Sequence, residues 1–159
     1  MEGTIVCGVT DTPEGRAAAQ LAGALAERLD VRLVYAHAVD GVPRGSEESL
    51  TARQRFGGAQ VALTSIARET GPARGVELRI DFGERAQLIA QIAAEEGADL
   101  VVLGSRRGRL GGGILRCSLA RELEAATPAP VVVAPPQTRA RSERRLELAD
   151  GAAAGRTDG

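Results

Sequence analysis

Five short apolar segments, each separated from the next by a segment with helical periodicity, constrain the fold of this chain more than any other feature. They predict strands at residues 4–9, 31–39, 75–83, 98–104 and 131–134. The second segment is apolar almost throughout, which is typical of a strand buried on both faces of a parallel sheet. The third alternates apolar and polar residues and is expected nearer the sheet edge. Because crossovers between such strands are right-handed and keep them parallel, the sequence predicts an open, doubly wound α/β sheet of five strands.

Helices are predicted between these strands. The first begins with Thr12 as its cap and Pro13 as its first residue, the second extends from about Glu47 to Ala67, and the third occupies residues 84–97. Gly57 and Gly58 would interrupt the second helix at a cost of about 1 kcal/mol each relative to alanine. Helical spacing of apolar residues predicts the sheet-facing sides: Ala17, Leu21, Ala24, Leu25 and Leu29 in the first helix, Leu88, Ile89, Ile92 and Ala93 in the third, and Leu115, Leu119, Leu123 and Ala126 in the fourth.

The length of 159 residues favours one domain with one core. We assign residues 1–135 to this domain. Residues 136–159 contain few apolar side chains, mixed charges and no core-facing pattern, and are predicted to form a disordered tail.

Composition and charge exclude several classes of function. The formal net charge is −1 and aromatic residues make up 2% of the chain, so neither a positive field nor stacking rings favour nucleic acid as a partner. No apolar stretch approaches the roughly 18 to 20 residues that span a bilayer, and no signal sequence is recognisable, so a cytoplasmic protein without membrane contact is expected. All 20 basic residues are arginine, which excludes a Walker A lysine and a lysine Schiff base.

A glycine- and arginine-rich segment, GSRRGRLGGGILRCS, connects the fourth predicted strand to the fourth predicted helix at residues 104–118. In a doubly wound sheet, ligands bind beyond the carboxyl ends of the strands, where the strand order reverses. Segments 9–12 and 36–39 are expected at the same edge. Glycines let backbone N–H groups approach a phosphate, and a helix N-terminus favours an anion. The segment therefore predicts a phosphate site, with an ordinary strand-to-helix connection as the competing interpretation.

Several segments, in the right order, give the chain a resemblance to the universal stress protein family of the UspA type over about residues 3 to 134. They are IVCGVTDTPEGRAAAQLA, RLVYAHAV, GERAQLIAQIAAEEGADLVVLGSRRG and TPAPVVVA. The resemblance implies a flavodoxin-like, Rossmann-like sheet with strand order 3-2-1-4-5. It also implies a homodimer built partly through the fifth strand.

ATP-binding members of this family carry a loop of the form G-x2-G-x9-G-[ST], which can be compared with this chain residue by residue. Gly104 matches the first glycine, Arg107 stands at the second with Gly108 one place later, Cys117 stands at the third, and Ser118 keeps the hydroxyl. Where a glycine adopts positive φ, another residue costs about 1 to 2 kcal/mol, and its Cβ crowds a nearby phosphate. The resemblance thus implies a phosphate loop that is partly degraded.

The first strand departs from the family as well, since Thr10 stands at the usual aspartate position and Asp11 one residue later. A threonine binds a ribose less strongly than a carboxylate does. Backbone groups around Ala38 are expected to contact adenine. The resemblance therefore implies a site for ATP or AMP, with no evident metal dependence, formed by Val9, Thr10, Asp11, Ala38, Gly104, Arg107, Gly108, Cys117, Ser118 and Leu119.

Two classes of function follow from these residues. The first is a stress-response or signalling module in which a nucleotide shifts a conformation or an interface. The alternative is a dimeric interaction protein of the same fold that binds no nucleotide. An enzyme ranks last because no general base or metal-binding carboxylate pair stands out, with a weak ATPase activity left open.

Other chemistry at the same edge is disfavoured. His37, the only histidine, could join Ser118 and Asp11 in a triad, but no GxSxG elbow is present and a hydrogen-bonded structural histidine is the simpler interpretation. Cys117 lies among arginines at a predicted helix start, which can activate a thiol, although a small buried substitute for glycine is favoured. Cys7 is expected in the core.

Overall fold

The computed structural model describes residues 3–41, 46–105 and 118–136, without the side chains of residues 46–48. Strands and helices alternate along these residues. In chain order the elements are β1 Thr4–Gly8, α1 Pro13–Leu29, β2 Arg32–Val39, α2 Ser46–Thr70, β3 Glu77–Phe82, α3 Arg85–Glu95, β4 Leu100–Gly104, α4 Ser118–Ala126 and β5 Val131–Ala134. The predicted order of elements is confirmed. The predicted tail lies, from residue 137 onward, outside the described residues, as does Leu115 of the predicted fourth helix.

The strands form one parallel sheet in the order β3-β2-β1-β4-β5, which confirms the predicted fold class and strand order. In the centre, Val6 pairs with Val34 on one side and with Val101 on the other. The chain moves outward from β1 to β3 and then returns to place β4 on the far side of β1. The strand order therefore reverses between β1 and β4, which is where such sheets bind ligands.

Two apolar cores cover the two faces of the sheet. Helices α1 and α2 pack on one face, against Leu33 and Tyr35 of β2. Helices α3 and α4 pack on the other, against Val34 and Ala36 of the same strand. The burial of β2 on both faces confirms the interpretation of its continuous apolar sequence. In α3 the predicted residues Leu88, Ile89, Ile92 and Ala93 are all buried.

The core-facing side of α1 matches the predicted one in part, since Ala17 of the predicted set is buried. The buried residues are small: Gly15, Ala17, Ala18, Ala19, Ala22, Gly23 and Ala26. Of the predicted set, Leu21 and Leu25 are half-buried at the margin, Ala24 is exposed and Leu29 is 61% exposed. A Cβ at Gly23 would overlap the carbonyl oxygen of Thr70 at the end of α2. The spacing of the leucines predicts the wrong buried face for α1. The helix packs so closely on its neighbours that only glycine and alanine fit at the contact.

Helix α2 continues through Gly57 and Gly58 and ends at Thr70, three residues beyond the predicted end. Its last residue contacts the core through a partly buried pair of hydroxyls. The Tyr35 hydroxyl lies 2.7 Å from Thr70 Oγ1 and 3.1 Å from the carbonyl oxygen of Ala19. Burial raises the pKa of Tyr35 to about 12, so this hydroxyl remains a neutral hydrogen-bonding group that joins α1, β2 and α2.

Two glycine-to-alanine substitutions are expected to change stability in opposite directions. Gly23→Ala forces a Cβ against the backbone of Thr70, and overpacking of this kind costs about 1 to 3 kcal/mol. Gly58→Ala adds a Cβ that meets no atom within 4 Å and raises helix propensity, a gain of up to about 1 kcal/mol. Urea denaturation of both variants and the wild type measures the difference. Equal changes in the two variants would contradict the close packing of α1 against α2.

Candidate functional site

A cleft of about 510 Å³ opens at the carboxyl ends of the central strands, where the strand order reverses. Its size lies within the range of small-molecule sites. Loops after β1, β2 and β4 and the first turns of three helices surround it. The lining residues are Gly8, Val9, Thr10, Thr12, Glu14, Gly15, Ala36, His37, Ala38, Asp40, Glu84, Arg85, Ile89, Leu103, Gly104, Ser105, Ser118, Leu119 and Glu122.

The turn between β1 and α1 is ordered by two threonine hydroxyls. Thr12 caps α1 by accepting a hydrogen bond from the Gly15 N–H at 3.0 Å, and Pro13 is the first helical residue, as predicted. Thr10 Oγ1 lies 2.8 Å from Thr12 Oγ1. The hydroxyl of Thr10 is therefore part of the cleft wall and is linked to the capping bond of α1.

Asp11 is the predicted site residue that does not line the cleft. Its carboxylate pairs with Arg16 at 3.1 Å, and Arg16 pairs in turn with Glu69 of α2 at 3.0 Å. These side chains lie on the exposed outer side of the turn. The prediction of Asp11 as a site residue is thus not supported by its position, because the one-residue shift relative to Thr10 directs it away from the cleft.

Two glycines bring the walls of the cleft together. A Cβ at Gly104 would lie 2.5 Å from the carbonyl oxygen of Glu14 and 3.2 Å from the Gly15 nitrogen. A Cβ at Gly15 would overlap the backbone oxygen of Thr10. The end of β4, the start of α1 and the β1–α1 turn therefore touch through their backbones. Gly104 is required by this packing, whatever the cleft binds.

The end of β2 contributes Ala38 and His37. Ala38 is buried and, with Ala36, Ile89 and Leu103, gives the cleft an apolar part. His37 Nδ1 lies 2.7 Å from the carbonyl oxygen of Val9, which can only accept, so Nδ1 donates. This bond confirms the prediction of a hydrogen-bonded histidine. It also takes the nitrogen that a triad carboxylate would need, and Asp11 faces Arg16, so Ser118, His37 and Asp11 form no catalytic triad.

The charged side chains in the lining were not predicted from the sequence. Four acidic residues line the cleft, Glu14, Asp40, Glu84 and Glu122, together with one basic residue, Arg85. Glu84 caps α3 by accepting hydrogen bonds from the N–H groups of Gln87 and Ala86, which hold its pKa below the usual range. Each of these residues follows a strand or lies within two turns of a helix start. That position in the sequence could have identified them as candidates for the lining of the cleft.

Six of the predicted site residues lie around the cleft: Val9, Thr10, Ala38, Gly104, Ser118 and Leu119. Arg107, Gly108 and Cys117 lie outside the described residues. The sequence prediction missed Ser105, whose Oγ is buried at the cleft and has no hydrogen-bond partner among the residues that the structure describes. A buried hydroxyl without a partner is uncommon.

Other kinds of site find no support in the described part of the chain. Cys7 is buried in the core as predicted, and burial raises the pKa of its thiol far above the usual range. Residues 3–41, 46–105 and 118–136 contain no group of three or more His, Cys, Asp or Glu side chains that could hold a metal ion. Nor do their helices include one long and apolar enough to cross a membrane.

Fold and site together define the class of protein: a parallel α/β domain whose cleft lies where the strand order reverses. Within this class, the chain belongs to the universal stress protein family, whose model matches residues 1–135. The match confirms the family resemblance found in the sequence. No curated protein sequence matched the chain.

Solved structures of the same family share the fold. A universal stress protein UspA from Lactobacillus plantarum superposes with a TM-score of 0.72 at 20% identity, covering 84% of this chain and 97% of the other. A universal stress protein in complex with cAMP gives 0.58 at 22% identity, covering 85% and 98%. A family protein from Arabidopsis thaliana with AMP bound gives 0.57 at 17% identity, covering 82% and 90%. At these identities the similarity establishes the fold.

The capping hydroxyl beside the cleft provides a test of the local structure. Thr12→Ala removes the acceptor for the Gly15 N–H and is expected to lower the free energy of unfolding by about 1 kcal/mol. Thr12→Ser keeps the hydroxyl and should retain most of that stability. Thermal and urea denaturation of both variants measures the loss. A serine variant as unstable as the alanine variant would show that the hydroxyl is not the stabilising group.

Proposed function

We propose that this protein is a stress-response or signalling module that binds an adenine nucleotide, ATP or AMP, in the cleft. The observation that carries the proposal is the position of the cleft, which lies at the reversal of strand order and is lined by six residues assigned to a nucleotide site from the sequence. Family structures with AMP and with cAMP bound support it. The volume of about 510 Å³ suits a ligand of this size.

The two ends of the cleft differ in chemistry, which suggests how a nucleotide would lie. The apolar residues Ala36, Ala38 and Ile89 suit an adenine ring. Ser118 begins α4 and brings the positive end of that helix, and Ser105 adds its unpartnered buried hydroxyl. Because helix N-termini and hydroxyls bind phosphate oxygens, we place the phosphate at this end.

Arg107, Gly108 and Cys117 are assigned to the phosphate end on the basis of sequence alone. Arg107 and Cys117 replace glycines of the family loop, and Thr10 replaces an aspartate. We therefore propose a nucleotide site of reduced affinity. No metal ion is required by the proposal, since the hydroxyls and the backbone N–H groups of α4 are donors, and Arg107 is assigned to the same end from the sequence.

Binding rather than catalysis is the proposed activity. The carboxylate of Glu84 caps α3 and accepts hydrogen bonds from its backbone N–H groups. It is therefore not poised as a base toward a bound phosphate. A slow ATP hydrolysis would be a property of the bound nucleotide and would not define an enzyme.

Calorimetric titration with AMP and ATP, combined with mass spectrometry of nucleotide carried through purification, tests this function. We expect saturable binding. Ser118→Ala should weaken it about 3- to 10-fold, the loss of one hydrogen bond, and Arg107→Ala should weaken ATP binding more than AMP binding. Ser65→Ala and Arg121→Ala are the matched controls, because neither side chain lines the cleft. Absence of both heat and carried-over nucleotide would reject the proposal.

The alternative function, a dimeric interaction protein without a nucleotide, is favoured by one observation at the sheet edge. Strand β5 pairs only with β4 in the described chain, and Val132 and Val133 remain 37% and 38% exposed. An apolar edge strand favours pairing with another chain. We therefore propose a homodimer through β5, which is compatible with nucleotide binding and would be the main function if the cleft binds none.

Light scattering at micromolar concentration should show a dimer. Val133→Arg places a charge on the exposed edge and is expected to give a monomer. Val61→Arg is the matched control, because Val61 is 72% exposed on α2, away from β5, and the change should leave the dimer intact. A wild-type monomer would refute the homodimer, and loss of the dimer in both variants would place the interface elsewhere.

A further inference from the structure

Helix α4 places an acidic side chain at the end of the cleft to which we assign the phosphate. Glu122 lines the cleft together with Ser118, the first residue of this helix. Residues four positions apart lie on the same face of a helix, with their Cβ atoms about 5 to 6 Å apart. Long helical side chains also point back toward the N-terminus of their helix. The carboxylate of Glu122 therefore projects toward Ser118 and toward a phosphate bound there.

The charge of Glu122 is not offset by a neighbouring side chain. Glutamate is ionised at neutral pH, and none of the ion pairs among the described residues includes Glu122. Arg121, the preceding residue, does not line the cleft. In Glu84, by comparison, both carboxylate oxygens accept hydrogen bonds from the backbone of α3. Glu122 thus brings to the cleft a negative charge that has no partner in the described part of the chain.

The donors at this end of the cleft suit one phosphate group better than several. The hydroxyls of Ser105 and Ser118 and the first N–H groups of α4 act over hydrogen-bond distances. The repulsion from Glu122 has a longer range and increases with every negative charge on the ligand. Among the described lining residues, Arg85 is the only basic one and four are acidic. In this part of the cleft, each phosphate beyond the first therefore adds more repulsion than attraction.

We propose that Glu122 favours nucleotides with few phosphate groups, because its carboxylate lowers the affinity of the cleft for ATP more than the affinity for AMP. The inference rests on the proposed function, since it concerns the ligand of the same site. Each further phosphate group adds about one negative charge at neutral pH. At a distance of about 8 Å and an effective dielectric constant of about 40 to 80, one charge changes the affinity about 2- to 6-fold. For the two further phosphates of ATP, screened by salt, we expect about 3- to 10-fold.

Calorimetric titration of the full chain with AMP, ADP and ATP, in a buffer with EDTA and no divalent cation, tests the proposal. Glu122→Gln removes the charge and keeps the size of the side chain. The substitution should raise the affinity for ATP about 3- to 10-fold more than the affinity for AMP, with ADP between the two. The difference should become smaller in about 0.5 M salt. Glu122→Arg reverses the charge and should shift the ratio of the two affinities further in the same direction.

The matched control is Glu124→Gln. Glu124 lies two positions further along α4, is exposed and does not line the cleft. Two positions correspond to more than half a turn of a helix, so the control removes the same charge from the other side of α4. We expect it to change the ratio of the ATP and AMP affinities by less than about 2-fold. Circular dichroism verifies the folding of each variant, and Glu122→Arg serves alone if Glu122→Gln does not fold.

The outcomes separate this inference from the proposed function. An equal gain for AMP and ATP, no gain for either, or the same shift in the Glu124 variant overturns the role of Glu122 and leaves nucleotide binding intact. If neither the wild type nor the Glu122 variants bind any of the three nucleotides, the proposed function itself fails, and the selectivity assigned to Glu122 fails with it.

Discussion

The close backbone contact between the end of β4 and the start of α1 is the constraint on which the cleft depends. Without a Cβ at Gly104, the carbonyl of Glu14 can occupy the space where a side chain would otherwise lie. Gly15 allows the same approach to the β1–α1 turn. Together they hold α1 across the point where the strand order reverses, so the walls of the cleft are set by backbone packing. Backbone packing within the fold therefore explains the glycine at position 104 without a bound phosphate.

The sequence predicted the alternation of strands and helices because strands buried in a parallel sheet are apolar almost throughout, and this signal is local. Boundaries were less accurate where local backbone conformation decides them. The third strand is Glu77–Phe82, shorter at each end than predicted, and Gly75 and Gly83 beside it adopt positive φ, which extended strands do not use. The buried face of α1 could not be predicted from its leucines, because Gly23 is packed against Thr70 of α2, which is 47 positions away in the sequence.

The ends of the strands predicted where the site lies. They did not predict which of two neighbouring side chains lines it. Thr10 and Asp11 differ by one residue, and the structure separates them through Arg16, which pairs with Asp11 and with Glu69 of α2. Arg16 and Glu69 are 53 positions apart in the sequence, so no local sequence pattern predicts their pairing. Glu84 was not predicted as a site residue for another reason. A carboxylate at a helix start is expected to cap the helix, and Glu84 both caps α3 and belongs to the lining of the cleft.

The charges in the described wall determine how an anion could be held there. Four acidic residues and one arginine line this part of the cleft, so their summed charge does not attract a phosphate. Attraction has to come from directed donors: the N-terminus of α4, the hydroxyls of Ser105 and Ser118, and the arginines that the sequence places between them. Directed donors are short-ranged and depend on geometry, which the Gly104 and Gly15 contacts supply.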